Sequence, residues 1–445
     1  MTSRELALKV LQNVEQGEKK SGTILHELLD NSSLCRSDRA LATELVNGVL
    51  RRRMTLDAVI GRFYHHRYEK TAPVLKNILR IAAYQLIYLN RIPQWAAVSE
   101  SVVLARKYKG ERMARLANAV LRNITPESAA PENFPGDATG TGRMAVIASH
   151  PEWMLERWIA RYGKKRTEVI VDYNNRTPLT GFRINALKCD PKKFYAEHGS
   201  GEALPVIRTG LDNFFLSADF SCFEAAIKQG LLTVQNPTQG LVCLLCNPAA
   251  GSTVLDLCAA PGGKSTFLGE LMQNRGSITA VDLYSRKLQK LTGHSGELGI
   301  TVIAAVAADA RSFQPETPPE SILLDAPCSG TGVLARRAEL RWKLTPQMIA
   351  ELVALQAELL DHAASLLAEN GILIYATCSI EPEENELQIE AFLGRHPEFR
   401  RESSGGALPE PFASEASGNG SILTLPGQKE GFDGGFAQRM KKISS

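Results

Sequence analysis

Two short stretches of the sequence each place a cysteine directly after a run of residues that reads as a buried strand. The first is LLDAPCSGTG at residues 323–332, which contains Cys328, and the second is IYATCSIEP at residues 374–382, which contains Cys378. Neighbouring strands of a sheet lie ~5 Å apart, so both thiols can border one pocket if the two strands are adjacent. A thiolate is a strong nucleophile. The sequence therefore predicts covalent catalysis, and the spacing alone does not say which cysteine attacks.

The elements that would position these cysteines alternate between strand and helix from about residue 250 onward. Five segments read as strands: STVLDLC, GSITAVDL, TVIAAVAAD, SILLDAP and ILIYATCS. This alternation predicts right-handed crossovers and a parallel, doubly wound sheet, in which ligands bind beyond the carboxyl ends of the strands. The unusual residues fall at those ends, namely Cys258, Asp282, Asp309, Asp325 and Cys378.

The turn after the first of these strands, DLCAAPGGKST at residues 256–266, predicts a ligand-binding loop. Gly262 and Gly263 let the backbone approach a ligand closely, and the N-terminus of the following helix favours negative charge. A P-loop requires a glycine where this sequence has Cys258, and a G-x-G-x-x-G fingerprint is absent. The P-loop ATPase interpretation therefore fails, and a nucleoside cofactor without a pyrophosphate remains.

Two acids at the next strand ends favour such a cofactor. Asp282 lies 26 residues after Asp256, a position from which a carboxylate can hold both ribose hydroxyls. Asp309 ends the third strand and can accept a hydrogen bond from the amine of adenine. S-adenosylmethionine combines a ribose, an adenine and an aminoacyl tail that can meet the glycine turn, so it is the predicted cofactor.

Two thiols beside a methyl donor indicate methylation of a pyrimidine. Carbon 5 of a pyrimidine is a poor nucleophile, but a thiolate that adds to carbon 6 makes it enamine-like and able to take the methyl group. A base must then remove the proton from carbon 5, and the thiolate leaves by β-elimination. Asp325 can hydrogen-bond ring nitrogen 3, for which it should be protonated, and a desolvated pocket would raise its pKa in that direction.

The first 125 residues differ from the rest in charge and in pattern. They carry 21 Lys and Arg against 11 Asp and Glu, a net charge of +10, whereas the remaining residues carry 30 against 37, a net charge of −7. Their apolar residues recur at three- and four-residue intervals, which predicts a helical bundle. A basic module of this kind favours a polyanionic partner, and nucleic acid is the preferred one.

The predicted organisation has four parts: a helical domain at residues 1–125, a linker at 126–145, a small α+β domain at 146–235 and a methyltransferase domain at 236–445. A single helix is predicted across residues 96–124. The fold class is therefore an N-terminal all-helical bundle, a small α+β insert and a C-terminal Rossmann-like doubly wound sheet.

Three motifs, DLCAAPGGK, DAPCSGTG and ATCSIEPEENE, resemble those of the RNA 5-methylcytosine methyltransferases of the NOL1/NOP2/Sun group. The helical front domain resembles NusB, an RNA-binding antitermination factor. The combination resembles the bacterial branch that methylates small-subunit ribosomal RNA, and the resemblance covers nearly the whole chain. It implies RNA as the partner, bound through the basic front domain and the active-site cleft.

The resemblance also implies a role for each site residue. Cys378 corresponds to the nucleophile, Cys328 to the cysteine that assists product release, and Lys264 reaches into the active site. Asp325 belongs to both the catalytic and the cofactor-binding set. The implied cofactor-binding residues are Cys258, Ala259, Ala260, Pro261, Gly262, Gly263, Lys264, Asp282, Asp309 and Asp325.

Three positions depart from the pattern of this group. Asn236 stands where many members carry Asp, which puts a role for an acid there in doubt, although Gln235 remains. Ala338 stands where a proline is usual, in a loop expected near the RNA. Gly435 replaces an aromatic residue in the tail sequence GFDGGF.

Several function classes are disfavoured, and two rivals stay open. No apolar run approaches the ~18 residues that span a bilayer, and MTSRELALKV reads as an amphipathic start, so a cytoplasmic monomer is expected. Cys243 and Cys246 have C-x-x-C spacing without a second pair, so a buried helix face is preferred over zinc and no metal is expected. The rivals are a transfer-RNA methyltransferase of the same type and a non-catalytic RNA-binding factor.

Overall fold

The computed structural model describes residues 1–17, 20–65, 67–134, 140–198, 206–403, 406–416 and 419–444. The chain divides into two compact units. The helical unit contains Met1–Thr177 and Leu334–Lys343, and the sheet unit contains Pro178–Val333 and Leu344–Ser445. In the described part of the chain, no helix is both long and apolar enough to cross a membrane.

The helical unit buries the apolar stripes of its helices in one core, as the three- and four-residue periodicity predicts. The first helix begins where the Thr2 side chain accepts a hydrogen bond from the backbone N–H of Glu5. The helices of Met1–Thr177 are α1 Ser3–Gln16, α2 Ser21–Asp30, α3 Arg36–Phe63, α4 Pro73–Tyr88, α5 Gln94–Lys109, α6 Glu111–Leu121, α7 Thr141–Ala148, α8 Glu152–Tyr162 and α9 Lys164–Asn175.

The helix predicted across residues 96–124 is wrong, because the structure breaks it into α5 and α6. Gly110 lies between them with a φ of 81°, a left-handed conformation that a helix interior does not accommodate. The apolar periodicity continues on both sides of the glycine, which is why the pattern reads as one helix. Helix α2 is an additional element that the periodicity argument left out.

The predicted boundaries of the helical domain also need correction. Two 3₁₀ turns, Pro126–Ala129 and Pro131–Asn133, occupy the first part of the predicted linker, and α7 begins inside its last part; residues 135–139 lie outside the described residues. Helices α7 to α9 belong to the helical unit and not to the α+β domain. Hydrogen bonds hold α7 to α3: Thr55 Oγ1 donates to the carbonyl of Val146 at 2.6 Å, and Met54 N donates to Ser149 Oγ at 3.0 Å.

The sheet unit opens with a small antiparallel sheet in the order β2-β3-β1-β4. Its core is aromatic: Phe182 stacks on Phe215 with ring centroids 5.1 Å apart, and Phe223 packs against both. The elements of this region are β1 Thr180–Ile184, α10 Pro191–His198, β2 Ile207–Arg208, β3 Phe214–Ser217, α11 Glu224–Lys228 and β4 Leu232–Val234.

The second sheet has the order β10-β12-β9-β8-β5-β6-β7, with β11 paired to β12. Strands β9, β8, β5, β6 and β7 are parallel, which confirms the doubly wound prediction. The strand order reverses between β5 and β8, the point at which such sheets bind ligands. The elements are α12 Pro237–Cys246, β5 Thr253–Leu257, α13 Gly263–Leu271, β6 Ser277–Asp282, α14 Ser285–Leu298, β7 Ile303–Ala307, β8 Ser321–Asp325, α15 Leu340–Lys343, α16 Pro346–Leu366, β9 Ile372–Thr377, α17 Glu386–Arg395, β10 Phe399–Arg401, α18 Phe412–Ala416, β11 Ser421–Thr424 and β12 Gly435–Lys442.

Candidate active site

The carboxyl ends of the five parallel strands gather the chemically unusual side chains at one edge of the sheet. Cys258 follows β5, Asp282 ends β6, Asp309 follows β7, Asp325 ends β8 and Cys378 follows β9. This common edge follows from the parallel register of the strands. Because β8 and β9 are neighbours, the loop that carries Cys328 lies beside the loop that carries Cys378.

The two cysteines are in direct contact. Their Sγ atoms lie 3.3 Å apart, and the backbone N–H of Cys378 donates to Cys328 Sγ at 3.3 Å. The hydrogen bond with the Cys378 thiol and the burial of Cys328 raise the pKa of Cys328, and the negative charge of Glu384 adds to the effect. Cys328 is therefore held as a neutral thiol at physiological pH.

Only one of the two cysteines lines the cavity at the strand ends. This cavity of about 60 Å³ is bordered by Cys378, and Cys328 is not among its lining residues. The lining residues are Thr238, Gln239, Val242, Lys264, Asp325, Val333, Thr377, Cys378, Asp433 and Gly434. The thiol of Cys378 is the one placed to meet a group inside this cavity.

Lys264 and Asp325 form an ion pair at the same cavity, with Lys264 Nζ 2.6 Å from Asp325 Oδ2. Burial works to lower the pKa of Lys264, but the charge and hydrogen bond of Asp325 outweigh it, so the pKa is raised and the ammonium persists. An adjacent cation favours an ionised carboxylate. The expectation of a protonated Asp325 is therefore wrong, because the sequence does not reveal that Lys264 reaches this carboxyl.

The turn at residues 258–263 is fixed by its backbone and by the next strand. Cys258 has a φ of 62° and Gly262 a φ of 101°, and a Cβ at Gly262 would lie 2.4 Å from Leu291 Cγ. Gly262 is thus required by its conformation and by packing against α14, in addition to any approach by a ligand. Burial and the surrounding acids raise the pKa of the Cys258 thiol to about 12, so it stays neutral.

The residues at the switch point fit a nucleoside cofactor with an aminoacyl tail. Asp282 is buried, and its carboxylate accepts from the N–H groups of Ala260 at 3.2 Å and Tyr284 at 3.0 Å, which ties β6 to the turn. The Gln235 Nε2 atom is buried without a hydrogen-bond partner and lies 3.5 Å from the position of a Cβ at Gly263. A buried donor of this kind beside a glycine is suited to a polar ligand group.

Asp309 lies in a more open setting than Asp282. Its carboxylate accepts hydrogen bonds from the Arg311 side chain, the shortest at 2.7 Å, and from the Arg311 backbone N–H at 2.9 Å. These bonds lower the pKa of Asp309 to about 2. The carboxylate is ionised and remains an acceptor for an amine at the end of β7.

Several buried polar residues of the site were not identified from the sequence. Arg183 of β1 donates to the carbonyl of Gly263 at 2.9 Å, to Glu270 Oε1 at 2.8 Å and to Gln235 Oε1, so it fixes the start of α13. Asp433 lines the cavity beside Cys378. Arg183 reads only as an inward position of a strand, and its partners are far away in sequence, so no local signal marks it.

The three departures from the resemblance have structural roles. Asn236 caps α12, accepting from Thr238 N at 3.0 Å and donating to the Gly431 carbonyl at 2.8 Å. A Cβ at Gly435 would lie 3.0 Å from the carbonyl of Thr377, which favours glycine. Ala338 is buried in the core of the helical unit, so the expectation that it lies in a loop near RNA is wrong.

The C-x-x-C pair lies on a buried helix face, as the sequence argument preferred. Cys243 and Cys246 are both in α12 and belong to the core beneath the second sheet. Burial raises the pKa of both thiols, that of Cys246 to about 12. In the described part of the chain, no group of three or more His, Cys, Asp or Glu residues is arranged to hold a metal ion.

The reversed strand order, the glycine turn at the switch point and the acids at the next strand ends define a Rossmann-like methyltransferase. Family models agree: 16S rRNA methyltransferase RsmB/F matches residues 243–441, the NusB family matches residues 1–126, and the ferredoxin-like domain of RsmF/B-like methyltransferases matches residues 150–197. The chain belongs to the family of ribosomal RNA small subunit methyltransferase B.

Relatives and solved structures match along the full length of the chain. The probable ribosomal RNA small subunit methyltransferase B of Bacillus subtilis (strain 168) is 33% identical, covering 99% of this chain and 98% of that protein. The ribosomal RNA small subunit methyltransferase B of Cronobacter sakazakii (strain ATCC BAA-894) is 32% identical with the same coverage. The crystal structure of PH0851 is 26% identical, with a TM-score of 0.80 and 99% of each chain covered.

Proposed function

We propose that this chain transfers a methyl group from S-adenosylmethionine to carbon 5 of a cytosine in RNA, with small-subunit ribosomal RNA as the substrate. The substrate class is supported by the relatives, which are named as methyltransferases of that RNA. The chemistry is supported above all by one observation: two thiols lie 3.3 Å apart at the ends of adjacent strands, and only Cys378 borders the cavity that Lys264 and Asp325 also line.

Cys378 is the nucleophile in this proposal. Its sulfur adds to carbon 6 of the cytosine, and the electron pair of the 5,6 double bond moves toward carbon 5 and ring nitrogen 3. Two observations favour Cys378 over Cys328: its place in the cavity wall, and the raised pKa of Cys328, which keeps the second thiol protonated. The thiol that remains neutral is the poorer nucleophile.

The Lys264–Asp325 pair orients and polarises the cytosine. An ionised Asp325 is an acceptor, which suits the 4-amino group of cytosine and not the 4-oxo group of uracil. The Lys264 ammonium lies 2.6 Å from that carboxylate and can stabilise the negative charge that develops on the ring after the thiol adds. This assignment replaces the proton donation by Asp325 that the sequence argument required.

The strand-end residues would hold S-adenosylmethionine, which supplies an electrophilic methyl group when bound. Asp282 would take the ribose hydroxyls, Asp309 the amine of adenine, and the turn from Cys258 to Lys264 the aminoacyl tail. The neutral Cys258 thiol forms part of this turn and takes no part in bond making. Gln235, with its free Nε2, is an additional donor for the carboxylate of the tail.

Cys328 acts after the methyl group has moved. Once a base removes the proton from carbon 5, the bond between carbon 6 and the Cys378 sulfur breaks, and that sulfur leaves with the electron pair. A neutral Cys328 thiol 3.3 Å away can donate a hydrogen bond to the departing thiolate. Cys328 therefore assists the release of the methylated RNA.

The proposal is tested by mapping 5-methylcytosine with bisulfite sequencing after incubation with S-adenosylmethionine. Naked small-subunit ribosomal RNA, assembled small-subunit particles and transfer RNA are compared, with Cys378→Ala protein as the control. We expect new 5-methylcytosine in ribosomal RNA, as naked RNA or as particles, and none with the variant. Methylation of transfer RNA alone would overturn the substrate assignment. Methyl transfer to no RNA would favour a non-catalytic RNA-binding factor.

A further inference from the structure

A buried carboxylate lies beneath the two cysteine-bearing loops. Glu384 belongs to the 3₁₀ turn Pro382–Glu384 that follows β9, and its side chain is fully buried. Its Oε1 atom accepts from the backbone N–H of Ser329 at 2.8 Å and from Gln356 Nε2 at 3.0 Å. Its Oε2 atom accepts from the hydroxyls of Ser329 and Ser379, both at 2.5 Å. Four neutral donors thus satisfy one carboxylate.

The donors identify what this carboxylate holds. Ser329 directly follows Cys328, and Ser379 directly follows Cys378, so Glu384 joins the residues next to both thiols. Gln356 of α16 also donates to the carbonyl of Pro327 at 2.9 Å, which fixes the residue on the other side of Cys328. The backbone on both sides of Cys328 is therefore anchored to the same buried group.

Further hydrogen bonds join the two loops around this centre. Ser329 Oγ and Ser379 Oγ lie 3.1 Å apart, and the backbone N–H of Gly332 donates to the carbonyl of Cys378 at 3.0 Å. A Cβ at Gly332 would lie 2.8 Å from that carbonyl oxygen and 2.3 Å from the oxygen of Gly434. The loops approach as closely as backbone atoms allow, and the Glu384 carboxylate is the one side chain bonded to both serines.

We propose that Glu384 is a positioning residue that holds Cys328 within reach of Cys378, and that it governs the release step which Cys328 performs. Glu384 does not line the cavity, so it acts through the two serines and not on the RNA. Without it, Cys378 remains in the cavity wall and can still add to the cytosine, while Cys328 loses its fixed distance. This inference rests on the proposed function, because it assumes the two-thiol reaction.

The test separates formation of the covalent RNA adduct from its resolution. In single-turnover reactions, adduct is quantified on denaturing gels and released methylated RNA is quantified by bisulfite sequencing. We expect Glu384→Ala to slow release at least 10-fold while adduct forms within about 3-fold of the wild-type rate. The double variant with Cys328→Ala should release no more slowly than Cys328→Ala alone, because coupled groups are not additive. Glu384→Gln keeps an acceptor for Ser329 N and Gln356 and should release at an intermediate rate.

Tyr375→Phe is the matched control. It removes the hydrogen bond from the buried Tyr375 hydroxyl to the Glu384 backbone carbonyl at 2.7 Å without touching the carboxylate, so it should not slow release selectively. If Glu384→Ala does not fold, the Ser329→Ala, Ser379→Ala double variant takes its place with the same expected result. Equal losses of adduct formation and release, or additive losses with Cys328→Ala, would overturn the inference. A wild-type protein that forms no adduct would instead overturn the proposed function itself.

Discussion

Two neighbouring cysteines differ because their environments differ. Cys328 is bonded to the Cys378 thiol, buried and close to Glu384, all of which raise its pKa, whereas Cys378 faces the cavity that contains Lys264. The same residue type thus takes two roles at one strand edge. This pattern of paired titratable groups separated by their surroundings is typical of catalytic sites.

The first prediction concerns the division of labour between these thiols. Cys378→Ala should abolish the RNA adduct, because no sulfur then borders the cavity. Cys328→Ala should let the adduct accumulate, because the departing thiolate loses its hydrogen-bond donor. The measurement is the fraction of RNA that stays bound to protein after denaturation. Cys222→Ala, at an exposed cysteine, is the control and should behave as wild type. An adduct that persists in Cys378→Ala would show that the roles are reversed.

Asp256 is a buried carboxyl whose titration affects stability. Burial raises its pKa from 3.8 to about 7, although Ser265 Oγ donates to Oδ2 at 2.6 Å. Between those pH values the folded chain keeps a proton that the unfolded chain has released. The free energy of unfolding therefore falls as pH rises through this window.

The second prediction follows from this sign. Asp256→Asn cannot ionise, so relative to wild type it should gain stability between pH 5 and pH 8, by up to ~4 kcal/mol for a shift of about three pKa units. Urea unfolding at both pH values measures the difference. Asp212→Asn, at an exposed site, should show no such change. A stability difference between Asp256→Asn and wild type that is independent of pH would contradict the assignment.

Residues Leu334–Lys343 show how an element can belong to a different unit from its neighbours in sequence. The segment follows the Cys328 loop along the chain, yet it packs in the helical unit. Arg341 of α15 is fully buried and donates to the carbonyls of Arg51 at 3.1 Å, Ser149 at 3.0 Å and Asn174 at 3.0 Å. Burial lowers its pKa to about 9, with the charges of Arg51 and Arg52 contributing.

The third prediction is that Arg341→Met destabilises the helical unit. The substitution fills part of the volume but leaves several buried carbonyls without donors, at a cost of about 1–3 kcal/mol for each unsatisfied group. A fall in Tm of several degrees is expected in thermal unfolding. Arg122→Met, at an exposed arginine after α6, is the control and should change Tm little. An unchanged Tm in Arg341→Met would mean that the carbonyls find other donors.

At the scale of the whole molecule, charge is divided between the first 125 residues and the rest. Deleting those residues would be a poor test of RNA binding, because Leu334–Lys343 and α7 to α9 pack in the same unit. Surface substitutions avoid this problem. Lys109, Arg112 and Arg115 are exposed on the consecutive helices α5 and α6.

The fourth prediction compares two sets of three charges. Replacing Lys109, Arg112 and Arg115 by Ala should weaken RNA binding and reduce the salt slope of log Kd by about 2, at ~0.7 per lost phosphate contact to single-stranded RNA. The affinity for S-adenosylmethionine should not change. Arg275, Arg400 and Arg401 are exposed at the opposite, amino-terminal edge of the parallel strands, and their replacement by Ala is the control. Equal effects of the two sets on RNA affinity would contradict a specific role of the helical unit.

The sequence by itself determined the doubly wound sheet, the edge at which the acids and thiols meet, and the adjacency of the two cysteine loops. Strand–helix alternation is a local pattern, and in a parallel sheet it places all strand ends on one side, so these features follow without knowledge of distant contacts. Glycines such as Gly110, which end helices within a continuous apolar pattern, are less legible because the periodicity on each side is intact.

Only the tertiary structure decided the electrostatic state of the site and the assignment of some segments. That Asp325 is ion-paired with Lys264, that Glu384 holds both serines and that Leu334–Lys343 packs with helices are contacts between residues far apart in the chain. A protonation state depends on burial and on the nearest charges, neither of which is encoded in local spacing. The sequence showed which residues meet, and the fold decided their charge and which of the two thiols borders the cavity.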